Sequence, residues 1–184
     1  MRTFIAVDIP DDAKMALDKL CIGFRRSGCR ISWVKAKNLH LTVKFIGDFD
    51  PESIPELTAA LKETVKGHGK QLVSLQGLGG FPNTRKPRVL WVGAEQGREW
   101  FVELARKIDK ACAKLGVKKE KKKPSPHLTI GRVRDLHDWH KLEESFNTAS
   151  FEYPAFEVDS ITIYKSDLSP RGAEYSVIEK IPLD

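Results

Sequence analysis

Strand-like and helix-like patterns alternate along this 184-residue chain, but hairpin-like steps break the alternation twice. That mixture argues against a doubly wound sheet and for an α+β fold. Residues 3–8 (TFIAVD) are a β-rich run and read as the first strand. Pro10-Asp11-Asp12 marks a turn and helix start, with Asp11 or Asp12 as the capping side chain. Met15, Leu17, Leu20, Ile22 and Phe24 supply that helix with its apolar recurrence. The segment RISWVKAKNLHLTVKFIG brings a short strand, a loop and a strand carrying His40. In DPESIPELTAALKETVKGHG, Asp50 is an N-cap candidate, a proline stands near the start and glycines close the end, so a helix follows. QLVSLQGLGGF and RVLWVGAE read as strands joined by the turn GGFPNTRKP. GREWFVELARKIDKACAKLG is the clearest helix, with Trp100, Phe101, Leu104, Ile108, Cys112 and Leu115 on its apolar face and Gly116 as its stop. A lysine-rich loop, a strand carrying His127 and a short helix (DWHKLEESFNTA) come next. The last stretch, FEVDSITIYKSDLSPRGAEYSVIEKIPLD, reads as two strands around a Ser-Pro-Arg-Gly turn.

The length fits one domain over residues 1–184 with a proper hydrophobic core, and two small, intimately packed lobes fit as well. An apolar fraction of 41% and a charged fraction of 30% are those of an ordinary soluble protein. No apolar run is long enough to cross a bilayer, so no membrane partner is expected. The opening MRTFIAVDIPDD is apolar too briefly and turns acidic at once, which argues against a signal peptide and makes the cytoplasm the expected compartment. Cys21, Cys29 and Cys112 are odd in number, lack metal-ligand spacing and read as reduced thiols. The net charge of +6 permits a phosphate-bearing partner without establishing one. Its densest cluster is Lys118, Lys119, Lys121, Lys122 and Lys123, broken by Glu120. Such a run is ordinarily a solvated loop, yet its place just before His127 keeps a phosphate-steering role in view.

The chemistry concentrates in two matched units. NLHLTVKFIG and PHLTIGRV share a His-Leu-Thr-aliphatic core, and their histidines, His40 and His127, lie 87 residues apart, each unit following a helix. Residues i and i+2 of a strand face the same way, so each unit offers an imidazole and a hydroxyl on one face, with Leu41, Val43 and Phe45 or Leu128 and Ile130 turned to the core. Two such strands side by side about a pseudo-twofold axis would form a cleft suited to reaction at phosphorus. One neutral imidazole can deprotonate water while a protonated one protonates the leaving oxygen, in either order. Thr42 and Thr129 can donate to nonbridging oxygens, and Arg132 can add a cationic contact. Strict alternation puts Arg132 on the apolar face, so Gly131 is expected to bend or bulge the strand.

A metal site is the nearest rival. Two histidines need further ligands for zinc, and no nearby Cys or acidic cluster completes a set. His137 and His140 are spaced i, i+3 on a short helix, which a solvated face explains; His68, between glycines, reads as a helix-end residue.

Together the two units resemble those of the two-histidine phosphoesterase superfamily, and more narrowly the RNA 2′,3′-cyclic phosphodiesterases, also named 2′-5′ RNA ligases. MRTFIAVDIP, WVKAKNLHLTVKFIGD, GGFPNTRKPRVLWVG, PSPHLTIGRV and SITIYKSDLSPRGAEYSVIEKI carry the resemblance over nearly the whole chain. It implies a bilobal α+β fold in which two pseudo-symmetric lobes line a central cleft with antiparallel sheets and keep helices outside. It implies metal-independent, cofactor-free opening of a terminal 2′,3′-cyclic phosphate on RNA to a 2′-phosphate by a monomer, with 2′-5′ ligation as the reverse chemistry. It also orders the histidines: His40 as proton donor to the departing 3′ oxygen, His127 as proton acceptor from water, with Thr42, Thr129 and Arg132 on the phosphate. Phe45 stands where the second unit has Arg132 and reads as core, with base stacking as the alternative. The rival functions are a non-catalytic RNA-binding module and a phosphodiesterase for a small cyclic nucleotide. No P-loop signature is present for ATP-driven joining.

Overall fold

The computed structural model describes residues 1–170 and 172–184; Arg171, in the turn expected between the last two strands, lies outside the described residues. In chain order the elements are β1 (Arg2–Asp8), α1 (Asp11–Arg25), β2 (Ile31–Trp33), β3 (His40–Asp48), α2 (Ile54–Val65), β4 (Gln71–Phe81), β5 (Val89–Ala94), α3 (Arg98–Lys114), β6 (His127–Val133), α4 (His140–Thr148), β7 (Glu152–Val158), β8 (Ser160–Ser169) and β9 (Gly172–Pro182). The strands form a four-stranded sheet, β3-β1-β8-β9, and a five-stranded sheet, β2-β6-β5-β4-β7. Every pairing is antiparallel. This is the α+β fold that the mixture of crossovers and hairpins predicts, with the two antiparallel sheets that the resemblance implies.

Three details depart from the sequence reading. The cap position of α1 is Pro10, not Asp11 or Asp12; both aspartates sit in the first turn, where their charge favours the positive end of the helix dipole. Met15 and Ile22 are 72% and 46% exposed, and the buried face of α1 is Ala13, Leu17, Cys21 and Phe24. The terminal segment holds three strands rather than two. β7 pairs with β4 in the larger sheet, and the chain then turns at Asp159 so that β8 joins β1 in the smaller one.

Elsewhere the local signals act as expected. Asp50 caps a short 3-10 turn by accepting the Glu52 N–H, and this turn leads into α2. At the end of α3, Gly116 (φ +81°) allows the Val117 N–H to reach the Cys112 carbonyl and its own N–H to reach that of Ala113. Such a paired closure satisfies carbonyls the helix leaves open. The core runs from Ile5, Val7 and Leu41 through Leu104 and Ile108 of α3 to Leu90, Leu128 and Ile130, all inaccessible to solvent. Each of these side chains stabilises the fold by roughly 2 kcal/mol, which fixes both histidine-bearing strands from behind.

Candidate active site

His40 and His127 are each the first residue of their strand, β3 and β6. Beyond the threonine, alternation breaks in both strands at the same place. The β1–β3 register passes from Ala6↔Thr42 to Ile5↔Lys44, leaving Val43 unpaired. The β5–β6 register passes from Trp91↔Thr129 to Leu90↔Gly131, leaving Ile130 unpaired. Each is a bulge that shifts the phase of its strand by one residue. Phe45 and Arg132 therefore return to the face of the histidine and threonine, while Lys44 lies opposite Ile5 on the buried face.

Two expectations are corrected here. The bulge that aims Arg132 falls at Ile130, not Gly131; a Cβ on Gly131 would come within 2.9 Å of the Ile31 side chain and 3.1 Å of the Trp33 ring. Phe45 is not core: it is 43% exposed, stacks on Phe4 at 5.7 Å and carries the Arg2 guanidinium over its ring.

β3 and β6 do not lie side by side in one sheet. β3 is an edge strand of the smaller sheet and β6 the second strand of the larger, and both face a cavity of about 560 Å³. His40, Thr42, His127, Thr129 and Arg132 all line it. Tyr175 of β9 and Phe81 of β4 add aromatic walls.

The two imidazoles are held alike. His40 Nδ1 lies 2.7 Å from the Asn38 carbonyl, and His127 Nδ1 lies 2.7 Å from the Ser125 carbonyl, each two residues upstream. A carbonyl only accepts, so each Nδ1 carries the hydrogen and Nε2 is left for proton transfer. Asn38 is itself fixed by donating to the Ala173 carbonyl at 2.7 Å. An aromatic ring steadies each histidine: Phe4 stacks on His40 at 4.9 Å, and Phe81 meets His127 edge-on at 4.9 Å. The two orienting carbonyls leave no side-chain signature in the sequence, and Phe4 and Phe81 stand far from their histidines along the chain.

Electrostatics separate the pair. Burial pushes His40 down to about 4, against the opposing pull of the Asn38 carbonyl and the Asp8 carboxylate. Burial also lowers His127; the Ser125 carbonyl opposes this and the Arg132 guanidinium adds to it. Both rings are therefore neutral near pH 7. Asp8 is held by Thr162 and by Tyr164, whose hydroxyl donates at 2.5 Å. Thr42 Oγ1 lies 3.0 Å from His40 Nε2 and donates to it while that ring is neutral.

The remaining candidates lie elsewhere. His68 contacts Lys107 and the Trp100 ring, and His140 donates from Nδ1 to the His137 carbonyl at 3.1 Å. Among the described residues no three His, Cys, Asp or Glu side chains gather as a metal site. Cys21, Cys29 and Cys112 are free thiols, and burial pushes Cys21 up to about 12 and Cys112 to about 11. No described helix is long and apolar enough to cross a membrane.

Two antiparallel sheets, each presenting a His-x-Thr strand to one cavity, define a two-histidine phosphoesterase fold. Solved structures share it: TT0787 of Thermus thermophilus superposes with a TM-score of 0.83 at 26% identity, over 100% of this chain and 98% of its own. The Escherichia coli LigT structure complexed with 3′-AMP gives 0.80 at 22% identity, over 99% and 97%. The model of the 2′-5′ RNA ligase superfamily matches residues 12–170, and the chain belongs to that family. A Methanocaldococcus jannaschii protein named RNA 2′,3′-cyclic phosphodiesterase is 37% identical over 98% of this chain and 99% of its own. A Thermotoga maritima protein of the same name is 33% identical over 97% and 93%.

Proposed function

We propose that this chain hydrolyses a 2′,3′-cyclic phosphate at the end of an RNA strand to a 2′-phosphate, by acid–base catalysis between His40 and His127 and without a metal ion. The observation that carries this reading is the pair of matched bulged strands, which aim two imidazole Nε2 atoms, two hydroxyls and one guanidinium into a single cavity. Because one chain supplies the whole set, the reading is of a single catalytic domain acting as a monomer. The name borne by relatives that match over nearly the full length supports RNA as the substrate.

His127 Nε2 takes a proton from water as its oxygen attacks phosphorus. The P–O3′ bond breaks in line, and His40 Nε2–H protonates the departing 3′ oxygen. The 2′ ester stays intact, so the products are a 2′-phosphate and a free 3′ hydroxyl. Thr42, Thr129 and Arg132 hold the nonbridging oxygens. Among the neighbouring charges, Asp8 favours an imidazolium at His40 and Arg132 disfavours one at His127. Burial is the larger cause, however, and takes His40 to about 4, so in the free enzyme a single proton rests on His127 and the reactive arrangement is the minor one-proton form. Burial opposes protonation of His40, so its charged form becomes populated when the phosphate anion enters beside it.

An RNA oligonucleotide ending in a 2′,3′-cyclic phosphate, incubated with excess EDTA, tests the reading. Full conversion to the 2′-phosphate is the expected result. A 3′-phosphate product would overturn the assigned geometry, and loss of turnover in EDTA would overturn the metal-free mechanism.

The pH dependence follows from the same groups. The reactive free enzyme holds one proton between the two histidines. Below about 4 both are charged and the base is lost; above the lowered value of His127 both are neutral and the acid is lost. The profile of kcat/KM is therefore expected to be a bell with its acid limb near 4 and its alkaline limb below the ordinary histidine value of about 6.5. The kcat profile, which reports the complex, lies at higher pH because the bound anion raises both groups. Coincident kcat and kcat/KM profiles would contradict this account.

A further inference from the structure

The mechanism leaves one buried charge unexplained. Lys44 of β3 lies between buried Val43 and exposed Phe45, and its own side chain is 1% exposed. Its ammonium meets Asp109 of α3 at 2.7 Å, the Lys118 carbonyl at 2.7 Å and Glu120 at 3.4 Å. Glu120 is drawn in further, since its N–H donates to the same Asp109 carboxylate at 3.1 Å. A buried ammonium is costly unless its three donors are matched, and here they are matched by a helix and by the start of the lysine-rich loop.

The anchor decides where the loop goes. Lys121, Lys122 and Lys123 follow it at once, are exposed, and line the cavity rather than facing away from it. The loop then ends at Ser125, whose carbonyl orients His127. Arg106 of α3 is exposed on the same cavity. No described carboxylate forms an ion pair with Arg106, Lys121, Lys122 or Lys123. A cyclic phosphodiester carries one negative charge, which Arg132 answers. The further cations exceed what the terminus alone requires, whereas an RNA strand brings one more charge with each nucleotide.

We infer that Lys121, Lys122, Lys123 and Arg106 form a track for the backbone phosphates on the 5′ side of the cyclic end, and that Lys44 is the positioning residue that holds the track over the cavity. This rests on the hydrolase reading above. It makes the enzyme selective for a strand over a mononucleotide, by charge and without base readout.

The test compares kcat/KM for a short RNA ending in a 2′,3′-cyclic phosphate with that for a 2′,3′-cyclic mononucleotide. In the Lys121→Ser/Lys122→Ser/Lys123→Ser variant the ratio of the two is expected to fall about tenfold or more at low salt, with the salt slope for the RNA shallower by about 2. Lys44→Met is expected to lower the ratio in the same direction, and Lys44→Arg to restore most of it. A ratio and salt slope at wild-type values in the triple variant would overturn the track. A Lys44→Met variant that loses both activities equally would overturn the positioning role. Binding of a labelled RNA bearing a 2′-phosphate, read by anisotropy, is independent of turnover. A wild type inactive on both cyclic substrates that still binds this RNA through the three lysines would sink the hydrolase reading while supporting the track. Unchanged RNA binding by the triple variant would overturn the track whatever the activity.

Discussion

Alanine in place of His127 is expected to lower kcat by roughly 10²–10⁴-fold, and alanine in place of His40 to do the same, because each removes one proton transfer from the transition state. Both variants should fold. The rings stand on the cavity side of their strands, while Leu41 and Leu128, on the opposite faces, are fully buried and untouched. Thermal denaturation checks that point. The roles then separate with a substrate whose bridging 3′ oxygen is replaced by sulfur. A thiolate, with a pKa near 8.5 rather than that of an alcohol, leaves without a proton. His40→Ala should therefore recover most of its deficit on the sulfur substrate, and His127→Ala should not. Recovery by His127→Ala instead would exchange acid and base. Full activity in either variant would remove that histidine from the chemistry.

The reason so much of this site can be read from residues is that its parts are short-range. His40 with Thr42 and His127 with Thr129 need only the two-residue period of a strand to share a face. The period fails one residue later, and nothing in the letters announces it. Val43 and Ile130 are ordinary β-branched core residues, yet each is left unpaired where the register of its strand shifts against its partner. Counting by twos therefore sends Phe45 inward and asks Gly131 to do the bending. The actual bulges bring Phe45 out and make Gly131 a matter of space beneath Ile31 and Trp33. Beyond their shared His-Leu-Thr residues, the two chain segments have a bulge at an identical offset, a pseudo-symmetry of backbone that the letters do not announce.

Long-range pairing limits the fold reading in the same way. Helix ends such as Asp50 and Gly116 are local and legible. The division at Asp159 is not, because β7 and β8 form a nearly continuous strand-like stretch whose two parts are claimed by different sheets. Lys44 shows the same limit at one residue. In sequence it is a lysine on a strand, and only the approach of α3 and residues 118–120 gives its charge three partners.

Arg132 is where backbone geometry and chemistry meet most directly, and its loss is expected to cost about 10²–10³-fold in kcat/KM, the range for removing one donor to transition-state charge. Arg132→Met keeps much of the side-chain bulk and removes the guanidinium; Arg132→Lys keeps charge without the planar fork and should fall between. A second consequence distinguishes contact with phosphate from mere bulk. The guanidinium helps hold His127 below its ordinary value, so removing it lets His127 keep its proton to higher pH. The alkaline limb of kcat/KM in Arg132→Met should then move upward, while the acid limb near 4, set by His40, stays. Phe45 occupies the equivalent position on β3 and carries no charge, so Phe45→Leu should leave both limbs in place. An Arg132→Met enzyme with wild-type kcat/KM and an unmoved alkaline limb would mean that the bulge at Ile130 aims this side chain at nothing that matters for the reaction.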